Sequence, residues 1–338
     1  MNAGEAAEAA RVARHLLRRR RWRPLEVAVW AATLALILLV PSRALLINEI
    51  LILGLFAMSL DLALGYAGLV SLGHAAFLGL GAYAAGIMAS RGFADPTFGL
   101  LIASLVAGLA GLLTAPLVLR GTDLTRLMVT LGVSLMLGEL ANRNAWLTGG
   151  ADGLDFSVGS VLGQFPIGFA GRRAAALYSL VVVFLLFSLA RRITRSSFGQ
   201  SVQAIRQNRL RAGALGIPAS RRLVAIYGLG AAYAGAAGAL LAQTTQIVSL
   251  DVFDFHRSAD VLLMLIIGGP GYLYGGLIGA AAFVGVRDLI AGATPEYWEF
   301  WIGLMLVALV TVGRERIEAA AKQLARRLRF APRREAAR

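Results

Sequence analysis

The chain has 338 residues, 58% hydrophobic and only 15% charged, with a mean hydropathy of +0.70. A soluble domain would carry about 25% charged residues, so soluble enzymes and soluble binding modules are poor fits. The net charge of +14 would point to nucleic acid in a soluble protein, but 24 of the 33 basic residues fall in the segments 11–23, 191–222 and 314–338. Short Lys/Arg-rich loops mark the cytoplasmic side of a membrane protein, so no nucleic-acid partner is expected.

Apolar runs near the ~20 residues needed to span hydrocarbon recur from Leu25 to Val312. They are continuous rather than alternating, which argues against a β-barrel. The fold class is therefore an all-α polytopic membrane protein. Residues 1–23 read as a basic cytoplasmic tail able to lie on the membrane surface. They imitate a signal peptide, but many spans follow, so an uncleaved first helix is expected.

About ten crossings follow in order. They are Leu25–Val40, Leu45–Leu64, His74–Ser90, Phe98–Leu119 and Leu124–Ala141, then Ala174–Ala190 and Leu223–Ile247. A broken pair comes next, Val261–Ile267 with Gly275–Ile290, and Trp298–Val312 is the last. An even count puts both termini in the cytoplasm, together with the basic segment 191–222. The transmembrane domain is thus 24–313, and 314–338 is a second basic tail. Asn142–Arg173 is the longest outer segment, and its Asn144 and Thr148 are candidates for an outer mouth, as are Ser258 and Asp260. Tyr297, Trp298 and Trp301 sit where interfacial aromatics are expected.

Two segments interrupt the helical pattern. The first is GYAGLVSLGHAAFLGLGAY, 65–83, where Gly65, Gly68 and Gly73 weaken the helix by about 1 kcal/mol each against alanine. The second is GGPGYLYGG, 268–276, with Gly268, Gly269 and Gly271. At an offset of 203 residues, Gly65, Gly68 and Gly73 fall on Gly268, Gly271 and Gly276. A glycine-broken segment in each half is a pattern of repeat-built transporters, where such breaks act as hinges or line a substrate site. Asp61, Ser71, His74 and Tyr83 become pathway candidates, along with Ser258 and Asp260. For His74 the competing reading is a hydrogen-bonded packing residue, and for Asp61 a packed, hydrogen-bonded carboxyl. In the seventh span Gly228, Gly230, Gly235 and Gly238 form a small-residue face suited to tight helix packing.

The segment Arg191–Arg222 holds eight arginines and no acidic residue. Ser196 or Ser197 can cap a helix. Gly199–Ala212 reads as that helix, with Val202, Ile205 and Ala212 available for one face, and Gly213, Gly216 and Pro218 stop it. It could grip a partner or lie on anionic lipid.

Enzymatic signatures are missing. The single lysine, Lys322, lies in no P-loop context. His15, His74 and His256 form no metal motif, and there is no nucleophile elbow. No span carries the arginine series of a voltage sensor. Any ATP-driven work would have to come from another chain.

AIRQNRLRAGALGIP, followed by the Ala/Gly-rich span, resembles the cytoplasmic coupling segment of permeases in ABC importers for branched-chain amino acids. LGYAGLVSLGHAAFLGLGAY, LTGGADGL at 147–154 and SADVLLMLIIGGPGYLYGGLIGA at 258–280 resemble further signatures of that family, in order from about residue 45 to 313. The M-type permease subunit is the closest fit. The resemblance implies an inner-membrane importer subunit without cofactor of its own, with ATP and Mg bound by two cytoplasmic ATPases. An H-type permease and a periplasmic substrate-binding protein complete the assembly, in contact with membrane lipid. It further implies that Ala204, Ile205, Arg206, Asn208, Ala214, Leu215 and Gly216 form the ATPase-coupling element. The family often has acidic residues at the positions of Gln207 and Arg209, which leaves this docking surface unusually basic, and asparagine at the position of Asp61.

Overall fold

The computed structural model describes residues 24–93, 95–161, 165–166 and 171–293, and, further on, residues 300, 301, 303, 304, 307 and 311. The basic tails, His15, Lys322, Tyr297 and Trp298 lie outside the described residues.

The apolar runs are helices at nearly the expected places. They are α1 (Pro24–Leu39), α2 (Ala44–Asp61), α3 (Ala75–Ser90), α4 (Pro96–Leu119), α5 (Asp123–Arg143) and α6 (Arg172–Thr194). After the basic segment come α9 (Ala219–Thr245), α10 (Phe255–Gly268) and α11 (Leu273–Ala293). Among the described residues six helices are long and apolar enough to cross a membrane, the first of them Pro41–Tyr66. α10, at 14 residues, is too short for this. The described positions between 300 and 311 are helical.

The packing inverts the soluble pattern. On α4, Ala103, Ala107, Gly111 and Ala115 recur every four residues and are buried. Leu101, Leu105, Leu109, Leu113 and Leu117 recur at the same spacing and are exposed. Small residues inside and leucines outside is what helix association in lipid requires, because lipid gives large apolar side chains no reason to hide.

The small stripe of α4 meets α9, the most buried of the six long helices. A Cβ on Gly238 would stand 2.0 Å from the carbonyl oxygen of Leu78 on α3, and one on Gly81 of α3 would stand 2.2 Å from that of Gly235. Gly230 faces the Ser59 carbonyl of α2 at 3.0 Å. The glycine face of the seventh span thus lets three helices approach α9 backbone to backbone.

The basic segment departs from the single helix Gly199–Ala212 expected from the sequence. It forms α7 (Ser197–Gln207) and α8 (Arg209–Ala214). Asn208 is extended, at φ −159° and ψ 106°, and its side chain accepts the Arg211 N–H at 2.9 Å. An asparagine that caps a new helix competes with continuation of the old one. Ser196 caps α7, and Gly216, at φ 78°, turns the chain after α8. Val202, Ile205 and Ala212 are buried, as their spacing predicts.

At the opposite end, the long segment after α5 carries short strands among its described residues. β1 (Leu154–Asp155) pairs antiparallel with β4 (Ile247–Val248), joining the loops after α5 and α9. β2 (Ser160–Val161) pairs with β3 (Phe165–Pro166). Gln243 Nε2 donates to the Pro96 carbonyl at 2.7 Å, fastening the end of α9 to the start of α4.

Candidate functional site: two glycine breaks and a basic element

After Asp61, α2 runs into a π turn over Leu62–Tyr66, a feature common at functional sites. Gly68 then takes φ 72°. The second break is built alike: α10 ends at Gly268, and Gly269 and Gly271 take φ 102° and 83°. The offset of 203 residues therefore pairs two glycines, Gly68 and Gly271, in the left-handed region that disfavours side chains.

The two breaks touch. Asp61 is fully buried, and its Oδ1 accepts the Gly271 N–H at 2.6 Å. A Cβ on Gly65 would lie 2.3 Å from the Gly271 nitrogen, so only glycine fits there. Arg206 of α7 turns inward and donates from Nη1 to the Gly65 carbonyl. Beside this cluster lies a cavity of about 140 Å³ lined by Tyr66, Arg191, Arg195, Gln203 and Tyr272 among others. Burial and the neighbouring Arg191 pull the guanidinium of Arg195 below its ordinary pKa.

The first break continues through a polar seam. His74 is fully buried; its Nε2 lies 2.9 Å from Ser59 Oγ, and its ring stacks on Phe56 and meets Phe77 edge-on. The Ala75 N–H donates to Ser258 Oγ at 3.0 Å, and the Leu72 N–H to Thr130 Oγ1 at 3.2 Å. Side chains from α10 and α5 thus satisfy backbone donors that the broken helix leaves open. Gly73 packs against the Thr130 carbonyl. Ser71 is buried, and Tyr83 stacks on Phe253 at 5.7 Å. Asp260 is half-buried, within electrostatic reach of Arg257 and Arg287.

Of the outer-mouth candidates, Asn144 and Thr148 serve their own turn. Asn144 Nδ2 donates to the Leu140 carbonyl at 2.7 Å, and the Thr148 hydroxyl donates to the Ala141 carbonyl at 2.7 Å. Asp61, Ser71, His74, Tyr83 and Ser258 all pack inside the chain.

In the basic element Ile205 is buried and Ala204 half-buried, while Arg206, Asn208, Ala214, Leu215 and Gly216 are exposed. Leu210 is 87% exposed and Leu215 73%, two leucines presented beside Arg209 and Arg211. Sequence reasoning passed over Ser59 and Thr130. Ser59 leaves no signal, since a lone serine in an apolar helix is common. Thr130 and Ser134, polar at i and i+4 on an apolar span, were a signal of polar contacts on one face. The Ser134 hydroxyl donates to the Phe253 carbonyl at 3.1 Å.

Residues 42–310 match the family described as the branched-chain amino acid transport system / permease component. The chain is 28% identical over 281 residues to the high-affinity branched-chain amino acid transport system permease protein LivM of Salmonella typhimurium, covering 77% of this chain and 65% of that protein. The Escherichia coli LivM is 29% identical over 281 residues with the same coverage. The fructose import permease protein FrcC of Rhizobium meliloti is 26% identical over 284 residues, covering 80% of this chain and 77% of that protein. The chain therefore spans about two thirds of the length of the LivM proteins it matches. No solved structure matches. With six apolar helices of spanning length among its described residues and a family match over most of its length, this multi-pass membrane protein belongs to the permease components of branched-chain amino acid transport systems.

Proposed function

We propose that the chain is a permease subunit of an ATP-driven importer for branched-chain or related amino acids. It would form half of a translocation pathway that opens alternately to the two sides. The observation that carries the reading is the family match over 42–310, joined to a structured basic element that offers Leu210 and Leu215 outward. An element of two apolar knobs ringed by arginines suits a groove with an acidic rim on a cytoplasmic ATPase. Two such ATPases would bind ATP and Mg. A second, H-type permease would complete the pathway, and a periplasmic binding protein would deliver the solute.

In this reading the chain lies in a bacterial inner membrane and crosses it about ten times within 24–313, both basic tails facing the cytoplasm. Of the pathway candidates, Asp61, Ser71, His74 and Ser258 would act at the seam around the breaks, Tyr83 and Asp260 farther along the pathway, with Gly65, Gly68, Gly73, Gly268, Gly269 and Gly271 as hinges. Similarity to a fructose import permease protein supports a second reading, in which the same fold carries a different small polar solute.

Co-expression with a candidate H-type permease, ATPases and binding protein tests the proposal. Two ATPases should co-purify with the chain, and leucine uptake into proteoliposomes should require ATP. Replacing Leu210 and Leu215 together by aspartate should release the ATPases while the permease stays folded. Absence of ATPases from the unsubstituted preparation would reject the importer reading. ATPases without leucine uptake would favour another solute.

A further inference from the structure

We infer that Arg206 is a positioning residue that ties the basic element to both glycine breaks, so that α7 and the breaks move as one body. The inference rests on the importer reading and deepens it, by naming where motion of the basic element enters the membrane helices.

Three elements meet at Arg206. Val202 and Ile205 are buried and anchor α7 on the bundle, which leaves Arg206 at the edge of the contact. Its stem crosses the flat face of Gly68, where a Cβ would lie 3.1 Å from Arg206 Cγ. Its Nη1 donates to the Gly65 carbonyl, at the end of the π turn, where helix carbonyls need outside donors. The same Nη1 stands 3.4 Å from the Cβ position of Gly271. Gly271 is in turn held by Asp61 through its N–H at 2.6 Å. The coupling element, the end of α2 and the turn between α10 and α11 thus share one small polar cluster.

Charge reinforces the tie. A buried carboxylate is costly unless compensated. Among the described residues Asp61 Oδ2 has no hydrogen-bond partner, and Arg206 lies within electrostatic reach of Asp61 without forming an ion pair with it. Arg206 therefore supplies a donor to one break and places its positive charge near the group that holds the other. Although Arg206 is exposed overall, its guanidinium is engaged with the Gly65 carbonyl. Leu210 and Leu215 face outward, so α8 makes the docking surface and Arg206 the internal link.

The chain contains no cysteine, so spin labels can be placed on an otherwise native background. A first pair, Gln207→Cys with Tyr272→Cys, reads the tie in the isolated full chain and needs no ATPase. Its distance distribution should be narrow, widen in Arg206→Ala and narrow again in Arg206→Lys, which restores a cationic donor. A second pair, Trp146→Cys with Tyr272→Cys, reads transmission in the complete complex. ATP with vanadate should shift its separation in the parent. In Arg206→Ala the shifted population should fall by about tenfold, within the range known for coupling residues, with the ATPases still bound. Should Arg206→Ala fail to fold, Asp61→Asn serves instead. It keeps an acceptor for Gly271 and removes the charge, and should widen the first distribution as well. An unchanged first distribution in all variants, or an undiminished shift in a folded Arg206→Ala complex, would overturn the inference. Failure of the ATPases to bind the parent chain would instead strike the importer reading and leave the first pair to decide the tie.

Discussion

Glu26, at the start of α1, and Arg191, in the last turn of α6, meet at 2.6 Å with side chains only 14% and 7% exposed. The pair joins positions 165 residues apart, at the end of the bundle that carries the basic element. Trp30, one turn along α1, reinforces the same contact by packing edge-on against Phe184 and Phe187 of α6. A buried pair of this kind sets which helices lie together more than it adds stability.

Removing Glu26 takes its carboxylate away from the buried Arg191 guanidinium. Glu26→Leu should therefore destabilise the chain by about 3 kcal/mol, the low end of what broken buried pairs cost. The double variant Glu26→Leu/Arg191→Leu should recover most of that loss. Thermal unfolding in detergent distinguishes the outcomes. A double variant as unstable as the single one would mean that the ion pair is not the cause.

Gly238→Ala puts a methyl group 2.0 Å from a carbonyl oxygen of α3. No side chain can give way there, so α3 and α9 must separate. The expected cost is at the upper end of the roughly 1–3 kcal/mol typical of overpacking. Gly292→Ala, where a Cβ meets nothing within 4 Å among the described residues, should leave stability unchanged or slightly raised. Size-exclusion profiles and unfolding temperatures of the two variants provide the comparison.

Asn208→Ala removes the side chain that starts α8. Loss of such a cap costs about 1 kcal/mol. The amides of 209–214 should then exchange hydrogen about fivefold faster, while those of α9 stay protected. Equal rates in parent and variant would show that α8 does not depend on the cap.

Asp95, at the start of α4, accepts from the Thr97 hydroxyl at 2.6 Å and from its N–H at 2.9 Å. These bonds hold its carboxyl below the ordinary value of 3.8. A depressed carboxyl stabilises the fold fully above its unfolded pKa and loses that contribution as pH falls through the folded one. The stability difference between parent and Asp95→Asn should thus be constant near neutrality and disappear in acid below the ordinary carboxylate range. The carboxyl is solvent-exposed, so the difference should be small. Unfolding temperatures across a pH series provide the measurement.

The helices were legible because apolar runs bounded by Pro41, Pro96 and Gly268 leave little choice of structure. The break at Asn208 was not, since asparagine inside a helix and asparagine at a cap look alike until the backbone takes one path. The glycine offset was visible in the chain, and two of its members share a left-handed backbone. Their contact was not visible, because nothing local records that Gly65 lies against Gly271. Arg206 was read as part of the docking surface. Which way a long side chain turns from the edge of a buried face depends on the carbonyl it finds, here one 141 residues away. His74 and Asp61 were recognisable as costly polar groups in apolar surroundings, while their partners Ser59 and Gly271 come from the tertiary fold alone.

At glycines 230, 235 and 238, where α9 meets α2, α3 and α4, main chain faces main chain or a methyl group. Side chains normally absorb small displacements by changing rotamer, and here few are available to do so. This quartet of helices has very few internal degrees of freedom. A displacement at these close approaches cannot be taken up by side-chain rotamers, so it moves the helix backbones themselves.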